Sequence, residues 1–241
     1  MWFQFNGVHS DELNIRVLRF RKPSFPEFRD HYELIPGHDG GILFPQSFGM
    51  RSIEIDCLLL YKTRDERVGA IRQLHRILTK TEAPLMISDE PDVYYVGRLS
   101  GPFVPEMHRT LSSFTLVFTC QPFAYSVNKT SISKQITSSD KQITLVNNGT
   151  YDVFPLIKVS NANTNSLSLT LGGDKLTISN AIQASDVLTI DCDEMTVLLN
   201  DMNILDKTTG TFLSLQPGTN IMTVEAQNTL NVSVEWRERF L

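Results

Sequence analysis

Polar and apolar residues alternate with two different periods along this chain, a helical one over a single stretch and a strand-like one on either side of it. Between Val68 and Leu78, apolar residues fall at Val68, Ile71, Leu74, Ile77 and Leu78, the spacing of one helical face. Thr63-Arg-Asp-Glu66 before them has the form of a capping box, in which the Thr hydroxyl and the Glu carboxylate satisfy backbone donors of the first turn. Pro84 ends any continuation. The pattern predicts one amphipathic helix of about four turns that lays an apolar stripe on a sheet. Its flanks read as strands. Ile53, Ile55 and Cys57 alternate with Glu54 and Asp56 within Arg51 to Tyr61, and Phe114, Leu116 and Phe118 alternate with Thr115, Val117 and Thr119 within Ser113 to Cys120.

The second half carries no helical period of useful length. Leu167, Leu169 and Leu171 alternate with Ser and Thr, and Gly172-Gly173-Asp174 turns the chain into Leu176-Thr-Ile178, a hairpin pattern. Further strands are expected at Leu188–Cys192, Thr196–Leu199, Phe212–Leu215, Met222–Ala226 and Val232–Trp236. Many short strands separated by turns predict an all-β sandwich.

Composition divides at the same place. Eleven arginines lie in residues 1–127 and only Arg237 and Arg239 beyond, and all five histidines (His9, His31, His38, His75, His108) are in the first part. Ser, Thr and Asn number 17 in residues 1–127 and 38 in residues 128–241. The expected organisation is therefore a first domain over 1–127 and a second over 128–241, with the polar run Val127–Asp140 as connector. The net charge of −5 divides as −1 and −4. It offers no basic excess to coat nucleic acid. No apolar run approaches the roughly 20 residues of a membrane span, and Met1-Trp-Phe-Gln-Phe-Asn6 does not read as a signal peptide.

Candidate chemistry is sparse. Cys57, Cys120 and Cys192 are far apart, odd in number and outside any C-x-x-C pair, so buried free thiols are expected rather than a zinc site or disulfides. His75 lies among arginines on the helix, and His38 stands beside Asp39 in a Gly-rich turn. Asp191, Asp193 and Glu194 form the densest carboxylate group and read as a solvated acidic face, and Asp89-Glu90-Pro91-Asp92 reads as a strand-entry turn. Asn128-Lys-Thr and Asn231-Val-Ser fit a glycosylation acceptor, which carries no meaning without a secretory signal. No phosphate loop, serine elbow or zinc-protease motif occurs. The expectation is no enzyme, no cofactor and no metal.

An ordered series of motifs runs through the first domain: Phe5-Asn-Gly-Val-His-Ser10 with Leu13-Asn-Ile-Arg-Val17; Ile35-Pro-Gly-His-Asp-Gly40; Leu85-Met-Ile-Ser-Asp-Glu-Pro-Asp92 leading to Tyr94-Tyr-Val-Gly-Arg98; and Ser113 to Cys120 followed by Gln-Pro-Phe-Ala-Tyr125. The series resembles the distal tail protein (Dit) family of long, non-contractile-tailed bacteriophages and prophages. Leu215-Gln-Pro-Gly-Thr-Asn220 and the closing Val234-Glu-Trp-Arg-Glu-Arg-Phe-Leu241 are similar to that family's C-terminal domain. The resemblance implies a mainly β chain: a tail-tube-like ring-forming domain with one helix and a projecting hairpin, then a galectin-like sandwich. It implies a virion structural protein at the tail tip, assembled in the host cytoplasm. Six copies would form a hub around a channel for DNA passage, without specific nucleic-acid binding or membrane insertion. The implied partners are the tail-tube ring, a trimeric tail-associated protein, and receptor-binding or baseplate proteins. About 114 residues in the second domain leave no room for an inserted carbohydrate-binding module.

Ring closure requires head-to-tail contacts. The candidate element is the long, aromatic, Pro/Gly-punctuated segment from Pro26 to Arg51, with Pro36, Gly37, Asp39, Gly40, Gly41, Phe44 and Phe48 as its hairpin residues. Asp39-Gly40-Gly41 is expected to supply the positive φ angles of its turn. The alternative reading is a carbohydrate-binding module contacting the host cell wall. For that role the second domain offers Tyr151, Phe154, Phe212, Trp236 and Phe240, several of which fit core positions.

Overall fold

The computed structural model describes residues 1–37, 39–79 and 81–241; the expected roles of His38 fall outside these residues. Met1–Tyr125 and Ser126–Phe240 form two compact units.

The first unit begins with β1 (Phe3–Phe5) and β2 (Val8–His9), a 3₁₀ turn (Ser10–Leu13) and β3 (Ile15–Arg21). Four two-residue strands follow: β4 (Phe28–Arg29), β5 (Tyr32–Glu33), β6 (Ile42–Leu43) and β7 (Ser47–Phe48). The unit then runs through β8 (Arg51–Leu60), α1 (Arg64–Leu78), β9 (Ala83–Ile87), β10 (Glu90–Leu99), β11 (Glu106–Met107) and β12 (Leu111–Ser126). Its main sheet has the order β2-β1-β9-β10-β12-β8-β3.

The strand alternation translates directly into one buried face. Ile53, Ile55, Cys57 and Leu59 of β8 are buried, as are Phe114, Leu116, Phe118 and Cys120 of β12. Phe3, Phe5, Leu85 and Ile87 extend that face across β1 and β9. Burying a Leu, Ile or Phe side chain contributes about 1.5–3 kcal/mol, so this face carries most of the unit's stability. The opposite face of β8 holds charge. Arg21 of β3 forms a bidentate pair with Asp56 (2.9 Å for both nitrogens) and reaches Glu54 at 2.6 Å, and Thr115 donates to Asp56 at 2.7 Å.

The helix is capped as its sequence predicts at Thr63, whose Oγ1 accepts from Glu66 N at 3.2 Å. The reciprocal arm differs. The Glu66 carboxylate accepts from Lys62 N at 2.7 Å, one residue before the cap. Leu74, Ile77 and Leu78 of the apolar stripe are buried, while Val68 and Ile71 are half-buried.

The second unit is a two-sheet sandwich built from β13 (Thr130–Ile136), β14 (Gln142–Asn147), β15 (Leu156–Ser160), β16 (Leu167–Leu171), β17 (Asp174–Ile178), β18 (Val187–Asp191), β19 (Thr196–Leu199), β20 (Met202–Asn203), β21 (Thr208–Gly210), β22 (Gly218–Ala226) and β23 (Leu230–Trp236). One sheet runs β13-β23-β15-β18-β19-β20 and the other β14-β22-β16-β17-β21. Inward residues of both, among them Ile157, Leu169, Ile190, Val224 and Val234, belong to one core cluster. Gly172 (φ 58°) and Gly173 (φ 99°) make the two-residue turn expected between β16 and β17. The buried Asn147 donates to Tyr151 O (3.0 Å) and Leu215 O (3.1 Å) and accepts from Gly149 N (2.9 Å), so its burial leaves no polar atom unpaired.

Two expectations are corrected. Half of the expected connector Val127–Asp140 is strand β13, fully registered against β23 from Thr130↔Trp236 to Ile136↔Leu230. As the outermost strand of its sheet it buries only Ile136 fully, which allows the polar composition that imitates a linker. Phe212–Leu215 is not a strand. Only Leu215 makes an isolated bridge, to Val153, and the ladder strand is Thr208–Gly210 against β17.

Candidate assembly arm and its root

Residues 23–50 leave the sheet after β3 and return at β8. The segment is held by two short ladders, with Phe28↔Phe48 and Arg29↔Ser47 in one and Tyr32↔Leu43 and Glu33↔Ile42 in the other. Backbone bonds from Gly49 N to Glu27 O (2.6 Å) and from Phe44 N to His31 O (2.9 Å) extend the pairing, and Gln46 donates to Asp30 at 2.7 Å. The arm turns through Pro36, Gly37, Asp39, Gly40 and Gly41. Positive φ angles fall at Gly37 (86°) and Gly40 (84°), so Gly37 rather than Gly41 is the second left-handed glycine.

Ring contacts anchor the base of the arm, and apolar side chains are exposed along its length, with Phe25 43% and Phe28 46% exposed at the base itself. At the base, the Phe25, Phe28 and Phe48 rings lie 4.9–5.7 Å apart, and Phe48 meets Phe123 of β12 edge-on at 6.0 Å. Such ring pairs favour offset and edge contacts and contribute beyond their area. Further out the apolar side chains are uncovered: Tyr32 is 60% exposed, Leu34 67%, Leu43 78% and Phe44 44%. The predicted hairpin residues are thus brought together in two groups, Pro36, Gly37, Asp39, Gly40 and Gly41 in the turn and Phe44 and Phe48 on the returning limb. Phe48 belongs to the packed base, whereas Phe44 stays exposed and touches the ring of His31 at 5.0 Å.

The root of the arm was not visible in sequence motifs. Lys22, which precedes the arm, lies beside the Tyr95 hydroxyl at 2.8 Å and pairs with Glu90. Tyr95 in turn donates to Glu90 at 2.5 Å. Arg51, which follows the arm, is only 2% exposed and sits over the same Tyr95 ring at 5.6 Å; the Lys22 ammonium is 5.3 Å from that ring. Both chain ends of the arm therefore converge on one side chain of β10. Cations over an aromatic face gain more when desolvated. Burial pushes the Glu90 carboxyl up, but hydrogen bonds from Lys22 and Tyr95 and the charges of Lys22 and Arg51 outweigh it and hold the group below the usual carboxylate range. Burial and the Glu90 carboxylate push the Tyr95 hydroxyl up. Arg51 Nε and Nη2 are buried without a hydrogen-bond partner among the described residues. The signal in sequence was an arginine at an inward position of an otherwise apolar strand face, Arg51-x-Ile53-x-Ile55-x-Cys57-x-Leu59.

The remaining candidates separate. Cys57, Cys120 and Cys192 are buried free thiols, pushed up by burial to about 12, 12 and 11. Asp191 Oδ1 accepts from Asp193 N and Glu194 N, both at 3.0 Å, so this carboxylate closes its own turn. No group of three or more His, Cys, Asp or Glu residues with metal-binding geometry occurs among the described residues. His75 is exposed and meets the Phe103 ring at 5.9 Å.

Comparison with known proteins matches both units. The family model described as a phage tail protein RIFT-related domain matches residues 10–120, and that of the C-terminal domain of siphovirus-type tail components matches residues 148–240. The chain belongs to the distal tail protein family. A curated relative, the distal tail protein of Bacillus phage SPP1, is 27% identical over 180 residues, spanning 71% of this chain and 69% of the relative. The fold matches the crystal structure of the SPP1 Dit protein with a TM-score of 0.81 at 19% identity, covering 100% of this chain and 99% of that one. That structure is described as a paradigm of the hub adsorption apparatus of phages infecting Gram-positive bacteria. The chain is accordingly a structural protein of the phage tail and baseplate.

Proposed function

We propose that this chain is the hub subunit of a siphophage tail tip. Six copies close into a ring through the arm. One face of the ring joins the last tail-tube ring and the other receives a trimeric tail-associated protein, leaving a channel for DNA. The first unit builds the ring. The second, a galectin-like sandwich, offers attachment for receptor-binding or baseplate proteins. The role is structural, without catalysis, metal or cofactor.

The observation that carries the reading is the arm itself. It holds Tyr32, Leu34, Leu43 and Phe44 exposed on a segment tied to the sheet by the Phe48–Phe123 ring contact. A contiguous apolar surface on a preformed hairpin is the signature of a docking element. The fold likeness to a hub protein agrees with this. The carbohydrate-binding alternative gains less support. Among its aromatics, Trp236 is buried and Phe154 lies against the Arg239 guanidinium at 5.3 Å.

Deleting residues 36–49 tests the reading. Rings seen by negative-stain microscopy for the full chain should disappear, while the second unit keeps its β-rich circular dichroism and cooperative melting. Rings that survive the deletion contradict the assignment of the arm.

A further inference from the structure

The chain holds two Asn-Gly pairs, Asn6-Gly7 and Asn148-Gly149, and the fold treats them differently. In such a pair the asparagine side-chain carbonyl is open to attack by the next backbone nitrogen, because glycine has no Cβ to obstruct the approach. Asn6 and Gly7 make up the whole two-residue turn between β1 and β2, with Phe5 facing Val8 across it. Both are exposed, and both have positive φ, 51° and 80°. Nothing lies within 4 Å of a Cβ placed on Gly7, so the space around this glycine is open. Strand β2 has only two residues and is the outermost of its sheet, so the turn opens locally without unfolding the core. At the second pair, Gly149 is buried and its nitrogen donates to Asn147 Oδ1 at 2.9 Å. A Cβ there would lie 2.5 Å from Arg239 O, and Asn148 itself donates to Glu238 at 3.2 Å. The nitrogen that would attack is committed, and its glycine has no room to move.

We propose that Asn6 is a site of spontaneous deamidation in the folded chain and that the fold protects Asn148. The Gly7 nitrogen attacks Asn6 Cγ and forms a C–N bond. The bond from Cγ to Nδ2 breaks, and the side-chain nitrogen leaves as ammonia with the proton from the Gly7 amide. Water then opens the five-membered imide at one of its two carbonyls, and no oxidant or reductant takes part. Opening at Cγ leaves an ordinary aspartyl linkage. Opening at the main-chain carbonyl leaves an isoaspartyl linkage, one carbon longer in the backbone. Either product adds a negative charge. A turn of two residues has no slack for the extra carbon, so the isoaspartyl product breaks the Phe5↔Val8 register. Phe5 is fully buried and packs on Phe118 at 5.1 Å, so the loss reaches the core.

The test uses the full chain, aged in mildly alkaline buffer and sampled by peptide mass spectrometry, with electron-transfer fragmentation to separate the two linkages. In the native chain the peptide holding Asn6 should convert at least about tenfold faster than the peptide holding Asn148. In denaturant the two should convert at similar rates, since both are then open Asn-Gly pairs. Aged wild-type protein should melt lower than fresh protein. Asn6→Gln, whose side chain must close a less favoured six-membered ring, should keep its melting temperature through the same ageing. A native chain in which Asn6 stays intact, or in which both pairs convert at one rate, overturns the proposal. The outcome is independent of whether the chain forms rings, so it fails or stands apart from the hub reading.

Discussion

The Lys22 ammonium lies 2.8 Å from the Tyr95 hydroxyl, joining the chain that enters the arm to the interior of the sheet. Tyr95 is 1% exposed and passes the contact on to Glu90 at 2.5 Å. Removing the hydroxyl in Tyr95→Phe keeps the packing and deletes both bonds. A destabilisation of about 1–2 kcal/mol is expected from denaturant unfolding. Hydrogen exchange should rise selectively across residues 26–50, since the root and not the core has been loosened. Uniform exchange across the unit would contradict the clamp.

The same root gives a pH signature. The folded Glu90 carboxyl titrates below its unfolded value, so its contribution is complete above the usual carboxylate range and is lost as pH falls through the folded value. Glu90→Gln should lower the melting temperature at pH 7 and shrink the difference from wild type toward pH 3. Parallel pH–stability curves for the two proteins would contradict this.

Gly97 of β10 meets Cys120 of β12 closely. A Cβ placed there would lie 2.4 Å from Cys120 Sγ and 2.8 Å from Thr119 O. Gly97→Ala should destabilise by about 1–3 kcal/mol, the usual range for overpacking. Adding Cys120→Ala should recover only part of the loss, because the Thr119 carbonyl remains. Full recovery would mean that the backbone contact does not matter.

The thiols should be inert while the chain is folded. With pKa values of about 12, 12 and 11 set by burial, Cys57, Cys120 and Cys192 carry almost no thiolate at pH 8. Ellman's reagent should titrate none in native buffer and three in denaturant. Rapid labelling of the native chain would contradict the burial.

Legibility in sequence followed how completely each element's own residues determine it. The α1 stripe, the Gly172-Gly173 hairpin and the inward faces of β8 and β12 are local patterns, and each lies where its period predicts. Strand β13 was hidden because an edge strand needs few apolar residues; Thr, Ser and Lys serve its open face. The arm was legible as a Pro/Gly-rich aromatic segment. Its root was not, since Lys22, Arg51, Glu90 and Tyr95 come from three separate places in the chain and meet only through the sheet order. The two-residue ladders of the arm are too short for any period to register.

Mass photometry of the purified full chain, checked by negative-stain microscopy, tests the central claim most directly. The account predicts a species of six times the 27.3 kDa chain mass that appears as a ring with a central opening. Monomers or closed dimers at every concentration and in the presence of the tail-tube and tail-associated proteins would contradict it.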